Sequence, residues 1–214
     1  MVNMLQLKII SNLLTNKEGI SIKKLSENIK TYYKNVHNSV NKLFEQGLIK
    51  KEKFGNYNIC KLNYKNEDII EYLKEQNFHI KISQFRKKHP AEYQIITETI
   101  EKYLELKETP LFICILFGSY AKNEERESSD IDILLLTHFT GTRFEKTFEK
   151  ILKERNIPHQ KKFHITEQWI DNFIKDFKNK NKLSIATEIY KNPPIIFYGD
   201  DTFFRIITEF NKLW

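Results

Sequence analysis

Apolar residues recur at helical spacing through the first third of the chain. Leu5, Ile9 and Leu13, with Ile10 and Leu14, make one face that Asn16 to Gly19 terminates. Ser21 is placed to cap a second helix carrying Ile22, Leu25 and Ile29. Thr31 is placed to cap a third, whose Tyr32, Val36, Val40, Leu43 and Phe44 face inward before Gly47 supplies a left-handed stop. The period then shortens to that of strands. Leu48 to Phe54 and Tyr57 to Leu62 read as a hairpin joined at Gly55-Asn56, a pair able to take positive φ. Residues 63–108 return to helical spacing. Asn66 can cap a segment with Ile69, Ile70 and Leu73, and Pro90 suits the first turn of a longer helix carrying Tyr93, Ile96, Ile100 and Leu104.

Beyond residue 108 the pattern changes again. Leu111 to Phe117 and Ile131 to Leu136 are nearly unbroken apolar runs, as expected of strands covered on both faces. Phe144, Phe148 and Leu152, and then Trp169, Phe173 and Phe177, keep helical spacing and read as core faces. Gln160 to Ile165, with polar positions between apolar ones, reads as a further strand. Three parts follow: a first domain over 1–62, a helical connector over 63–108 and a second domain over 109–214.

Composition narrows the class. Of 214 residues 40% are hydrophobic, with 16 Phe and 10 Tyr, which is ample for packed cores and excludes wholesale disorder. Cys60 and Cys114 sit within apolar runs at a separation that suits no zinc motif, and a reducing cytoplasm fits them. The longest apolar run is too short to cross a bilayer, and polar Asn3, Gln6 and Lys8 stand where a signal peptide would have its core, so a cytoplasmic protein with no membrane partner is expected. The net charge of +7 is unevenly placed. Residues 1–62 hold 11 Lys against 4 Glu, a surplus of 7, whereas the remainder holds 24 basic and 24 acidic side chains. A basic module joined to a balanced one points to a polyanion, with nucleic acid foremost, met by the first third.

Helix, helix, turn, helix and a Lys-studded hairpin resembles the winged helix-turn-helix family, with Lys42-Leu43-Phe44-Glu45-Gln46-Gly47-Leu48-Ile49 at the helix end and first wing strand. The resemblance implies DNA as partner. Lys34, Asn35, His37, Asn38 and Asn41 on the third helix would approach base edges and phosphates in the major groove, and the wing lysines Lys50, Lys51 and Lys53 would neutralise backbone phosphates. The alternative use of such a face is protein contact, including homodimerisation. Arg86-Lys87-Lys88-His89 in the connector is a small basic cluster that reads first as solvated.

The most specific chemistry lies between the two apolar runs. Gly118 lets the backbone approach a ligand closely, and Ser119 adds a hydroxyl where a short helix begins, a place that favours a triphosphate. Asp130 and Asp132 are two apart at the start of a strand, so both carboxylates share one face within reach of the same divalent ions. Gly-Ser, ten residues, then Asp-x-Asp resembles the signature of the nucleotidyltransferase superfamily that includes DNA polymerase beta, kanamycin nucleotidyltransferase and the minimal nucleotidyltransferases. Ile195 to Gly199, followed by a final helix with Phe203, Ile206, Ile207 and Phe210, looks like the late strand and helix of the smaller members. Together the two resemblances imply an α+β fold in which an N-terminal winged helix is followed by a nucleotidyltransferase-like domain with a mixed sheet. The second resemblance also implies Mg²⁺ held by Asp130 and Asp132, a nucleoside triphosphate at Gly118 and Ser119, and transfer of a nucleotidyl group to a protein, RNA or small-molecule acceptor. Ser128 and Ser129 would orient the first carboxylate, which puts Ser129 among the nucleotide-binding residues.

Two positions depart from that pattern. Asn123 stands where the family commonly has Gly, and Asn tolerates the left-handed region. Active members also carry a third carboxylate on a later strand, whereas Gln160 to Ile165 offers only His164 or Lys162 at its polar positions, and Glu167 lies just beyond. His164 is thereby the candidate general base. The readings left open are an enzyme, a transcriptional regulator whose nucleotidyltransferase-like domain senses nucleotide without turnover, and an antitoxin-like partner of a toxin. Tyr198, Gly199 and Asp200-Asp201 read as the edge of a nucleotide pocket or as a strand-to-helix turn.

Overall fold

The computed structural model describes residues 3–16, 18–55, 57–106, 112–138, 144–157, 159, 161–179 and 183–212. Asn56, Leu111 and Gln160, which figured in the expected turn and strands, lie outside the described residues, as do the side chains of Phe54, Tyr57 and Phe210. The chain divides into two compact units, Met1–Gln76 with Phe204–Trp214, and Asn77–Phe203.

In the first unit, helix α1 (Met4–Thr15) opens on a capping box. Asn3 Oδ1 accepts from the Gln6 amide at 3.0 Å while the Asn3 amide donates to Gln6 Oε1 at 2.9 Å. A two-residue strand β1 (Ile20–Ser21) leads into α2 (Ile22–Ile29), capped by Ser21 Oγ on the Lys24 amide at 3.2 Å. Helix α3 (Tyr33–Glu45) follows, then the antiparallel strands β2 (Ile49–Phe54) and β3 (Tyr57–Leu62), then α4 (Asp68–Glu75). The sheet order is β1-β3-β2. Strand β1 is too short to show alternation, so no periodicity announces it.

Two expected core residues are outside. Tyr32 is 85% exposed and Phe44 47% exposed. The buried stripe of α3 is Val36, Ser39, Val40 and Leu43, at the i, i+3, i+4, i+7 spacing of a narrow apolar face. Tyr32 precedes the helix as its cap residue, so helical spacing does not extend to it; Phe44 lies about 100° around the helix from Leu43. Thr31 makes no cap hydrogen bond to the helix, whose N-cap is Tyr32 without a side-chain bond.

The second unit begins in a π-helical segment (Gln76–Ile82) and continues with α5 (Ser83–Lys88) and α6 (Pro90–Leu104). Strand β4 (Phe112–Phe117), short helix α7 (Gly118–Lys122), β5 (Ile131–Thr137), α8 (Phe144–Asn156), β6 (Phe163–Trp169), α9 (Ile170–Lys178), α10 (Ile185–Lys191), β7 (Ile195–Tyr198) and α11 (Asp200–Lys212) complete the chain, the later residues of α11 belonging to the first unit. The sheet order is β6-β5-β4-β7, antiparallel at β5-β4 and β4-β7 and parallel at β5-β6. The fold is α+β with a mixed sheet.

Strand alternation divides the central strands between two faces. Phe112, Cys114, Leu116, Ile131, Ile133 and Leu135 pack with Ile96, Ile100 and Tyr103 of α6 and Phe144, Phe148 and Leu152 of α8. Asp132, Leu134 and Leu136 therefore point to the other face. Strand β6 starts at Phe163 and runs on through Thr166, Glu167 and Gln168 to Trp169, well past the expected segment. Pairing with β5 over seven positions holds these polar residues in a strand, and β6 lies at the sheet edge, where polar side chains are tolerated. Trp169, expected in the core, is 43% exposed, and Phe173 and Phe177 are buried as their spacing predicts. Among the described residues no helix is long and apolar enough to cross a membrane.

Candidate nucleotide site and candidate nucleic-acid face

Strands β4 and β5 bring the Gly-Ser corner against the Asp-x-Asp pair. Phe117 stands opposite Asp132 in the antiparallel register, so the residue after it meets the Asp132 side chain. Gly118 has φ +69°, and a Cβ added there would collide with the Asp132 carboxylate, whose carboxyl carbon would lie 3.2 Å away. Only glycine satisfies both the conformation and the space. Ser119, half-buried, follows on α7. Asn123 ends that helix at φ 57°, in the left-handed region its side chain tolerates.

The parallel register places His164 of β6 beside Asp132. His164 Nδ1 is 3.4 Å from Asp132 Oδ1. Burial pushes the Asp132 carboxyl above the ordinary aspartate range, and the neighbouring charges of Glu188 and Asp130 act in the same direction. His164 opposes them. Asp130, one residue before the strand, is exposed.

Glu167 does not join this group. It lies with the odd-numbered positions of β5, and Thr137 Oγ1 donates to its Oε1 at 3.1 Å on the opposite sheet face. On the Asp132 side β6 offers His164, Thr166 and Gln168. Lys162 is exposed, and its carbonyl accepts from the Ile131 amide at 2.8 Å. Two further charged groups reach the site that no motif announces. Lys122 of α7 pairs with Glu188 of α10 at 2.7 Å, and the Glu188 charge is felt at Asp132.

The loop joining the two halves of the site is anchored from behind. Glu125, only 9% exposed, pairs through Oε1 with Lys88 and, at 3.2 Å, with His89 Nε2. The His89 ring packs edge-on against Tyr120, with centroids 5.0 Å apart. Two members of the expected solvated cluster Arg86 to His89 thus hold the loop. Ser129 Oγ accepts from the Arg126 amide at 2.9 Å, and the Ser129 amide returns a bond to the Arg126 carbonyl, so this hydroxyl shapes the turn before Asp130.

The donor set fits magnesium better than a transition metal. Among the described residues no group of three or more His, Cys, Asp or Glu side chains stands ready to hold a metal. Mg²⁺ commonly takes one or two carboxylates and completes its shell with water and substrate phosphates, which a pair of aspartates at an open strand end permits. A separate cavity of about 350 Å³, lined by Tyr93, Thr97, Phe197, Tyr198, Gly199 and Asp200 among others, lies against α6, on the sheet face away from Asp132.

On the first unit, Lys34, Asn35 and Asn38 are exposed on α3, as are Lys50 and Lys53 on β2. Three predicted contact residues are instead engaged with one another. Lys51 Nζ donates to Asn41 Oδ1 at 2.5 Å and sits over the Phe44 ring at 4.7 Å, while Asn41 Nδ2 lies 3.3 Å from His37 Nδ1. His37 in turn stacks on Tyr33, with centroids 5.9 Å apart.

Residues 98–202, just under half the chain, match the family model described as Polymerase beta, Nucleotidyltransferase. The mixed sheet with Gly118-Ser119 facing Asp132 falls inside the matched segment, which is a nucleotidyltransferase-type domain. No curated protein and no solved structure matches the chain.

Proposed function

We propose that the second unit binds a magnesium-bound nucleoside triphosphate at Gly118, Ser119, Asp130 and Asp132 and transfers its nucleotidyl group to a hydroxyl acceptor. The observation that carries this reading is the fit between Gly118 and the Asp132 carboxylate, a packing that sets a bare backbone beside a half-buried acid. Bound there, Mg²⁺ would neutralise phosphate charge and favour departure of pyrophosphate. Asp130 and Asp132 would hold the ion. Gly118 and Ser119 would take the terminal phosphates by backbone approach and a hydroxyl donor. The acceptor oxygen would bond to the α-phosphorus as the bond to pyrophosphate breaks. His164, beside Asp132, would accept the acceptor's proton at Nε2 in place of a third carboxylate. The Glu125 clamp would keep the 123–130 loop, and with it Asp130, in place.

The test is incubation with α-labelled triphosphates, Mg²⁺ and host extract. Label should pass to an acceptor with the wild-type chain and be lost in Asp130→Asn/Asp132→Asn. A double variant that transfers label as well as wild type would sink the reading. One observation favours a second reading, a nucleotide sensor without turnover: β6 carries no acid on the Asp132 face. Mg²⁺-dependent nucleotide binding with no transfer to any acceptor would select it.

The first unit is read as a winged helix that binds DNA, through exposed Lys34, Asn35 and Asn38 on α3 and Lys50 and Lys53 on β2. Support comes from the order of three helices and hairpin and from the charge surplus of residues 1–62. The proposed whole is a DNA-binding protein with a fused nucleotidyltransferase domain. Its acceptor is an RNA, a small molecule or a partner protein, as for an antitoxin acting on its toxin.

A further inference from the structure

The chain of contacts through Asn41 fixes which way His37 can hydrogen-bond outward. A lysine ammonium only donates, so the Asn41 atom facing Lys51 Nζ must be its carbonyl oxygen. The other end of the same amide, the NH₂, then faces His37 Nδ1 at 3.3 Å, and an NH₂ only donates. His37 Nδ1 must therefore accept, which leaves the single ring proton of the neutral imidazole on Nε2. Among the described residues no protein group bonds Nε2. Stacking on Tyr33 restrains the ring, and the Lys51 end of the chain is itself fixed over Phe44. The result is a pre-oriented N–H donor on the half-buried His37 of α3, in a module with a surplus of seven positive charges over residues 1–62.

We propose that His37 is a guanine-reading residue of the first unit. This rests on the reading of that unit as a duplex DNA binder with α3 in the major groove. Guanine presents two adjacent acceptors there, N7 and O6, to a lone donor one helical turn from exposed Lys34. Adenine sets its N6 amino donor beside N7, where it would oppose the N–H instead of offering it a second acceptor. The same network fixes the orientation of the Asn41 amide between Lys51 and His37, so it is not free to turn onto an adenine edge. The adenine contact available to an asparagine falls to Asn35 or Asn38 instead.

The test has two arms. In the free protein, long-range proton–nitrogen NMR on the neutral form of the ring should show the His37 proton on Nε2; a neutral ring protonated on Nδ1 would overturn the proposal. In the second arm, full-length chain is titrated at fixed salt with a random-sequence duplex pool and with pools in which 7-deazaguanine replaces guanine or 7-deazaadenine replaces adenine. Loss of guanine N7 should weaken the population of tightest binders by about fivefold or more, and loss of adenine N7 should have a smaller effect. His37→Ala should bind the natural pool more weakly and respond equally to both substitutions. Indifference of the wild-type chain to 7-deazaguanine would refute His37 as the reader while leaving duplex binding in place. Failure to bind any pool would remove the DNA-binding reading, and the proposal with it. His37→Gln serves as a second variant if His37→Ala does not fold.

Discussion

At the scale of single residues, Gly118 has the least freedom to change. Its φ of +69° is unfavourable for any side chain, and even a methyl group would press on the Asp132 carboxylate. Gly118→Ala should therefore destabilise the chain by about 1–3 kcal/mol in urea unfolding and should also displace Asp132. A variant of unchanged stability and unchanged metal affinity would show that the two residues do not touch in solution. The meeting of Gly118 and Asp132 was foreshadowed by two successive apolar strands that carry them at facing ends, and the antiparallel register of β4 and β5 supplies the contact. The Lys122–Glu188 pair was not foreshadowed, since it joins α7 to a helix 66 positions on whose residues carry no motif. Nor was the His37–Asn41–Lys51 chain. Each member looked like an independent outward contact, and only the register of β2 beside α3 brings Lys51 within reach of Asn41.

At the scale of elements, edge strand β7 shows how a short segment is retained. Asn77, buried in the π-helical segment, donates to the Ile196 carbonyl at 2.7 Å and accepts from the Ile196 amide at 2.9 Å, so its side chain mimics a neighbouring strand. Asn77→Ala leaves both backbone groups unpaired and should lower unfolding free energy by about 1–3 kcal/mol. A loss below a few tenths would mean that water replaces the amide. Lys81 caps the approach to the same strand, donating to the Pro193 and Pro194 carbonyls at 2.6 and 2.8 Å. A neutral amine has two N–H donors for these two acceptors, and burial lowers its pKa to about 7. Between that value and its ordinary 10.5 the unfolded chain binds the proton that the folded chain does not. This group's contribution to stability therefore rises with pH across that window and falls as pH drops toward 7. Urea midpoints at pH 7 and pH 10 for wild type and Lys81→Met should show a steeper rise in wild type; parallel slopes would indicate that Lys81 stays charged when folded. Most helices and strands were legible from periodicity, but α5 and α10 went unread, being short segments with too few turns to show it. Strand β1, the full length of β6 and the π-helical segment were not legible either, because they depend on partners distant in sequence: Ile20 pairs with Cys60, and polar Thr166 to Gln168 are held by β5.

At the scale of the whole molecule, charge and chemistry are divided. The net surplus lies in residues 1–62, and the acids of the candidate nucleotide site lie within 77–203. Nucleic-acid affinity should consequently fall steeply with salt, and the salt slope should shrink by about one unit for each of Lys50→Ala and Lys53→Ala. Lys51→Ala, by contrast, should act mainly through His37 and change the slope less, because its ammonium is already held by Asn41. Equal slopes for all three lysine variants would contradict that division. Domain identity was legible at this scale because the Gly-Ser and Asp-x-Asp elements fall on successive apolar strands; the acceptor leaves no comparable pattern. The most direct measurement is a Mn²⁺ titration followed by electron paramagnetic resonance, with a non-hydrolysable triphosphate present, on wild type and Asp132→Asn. Uptake by the wild-type chain at least about tenfold tighter than by the variant is the expected result. Equal uptake by the two, or none by either, would contradict a metal-triphosphate site at Asp130 and Asp132.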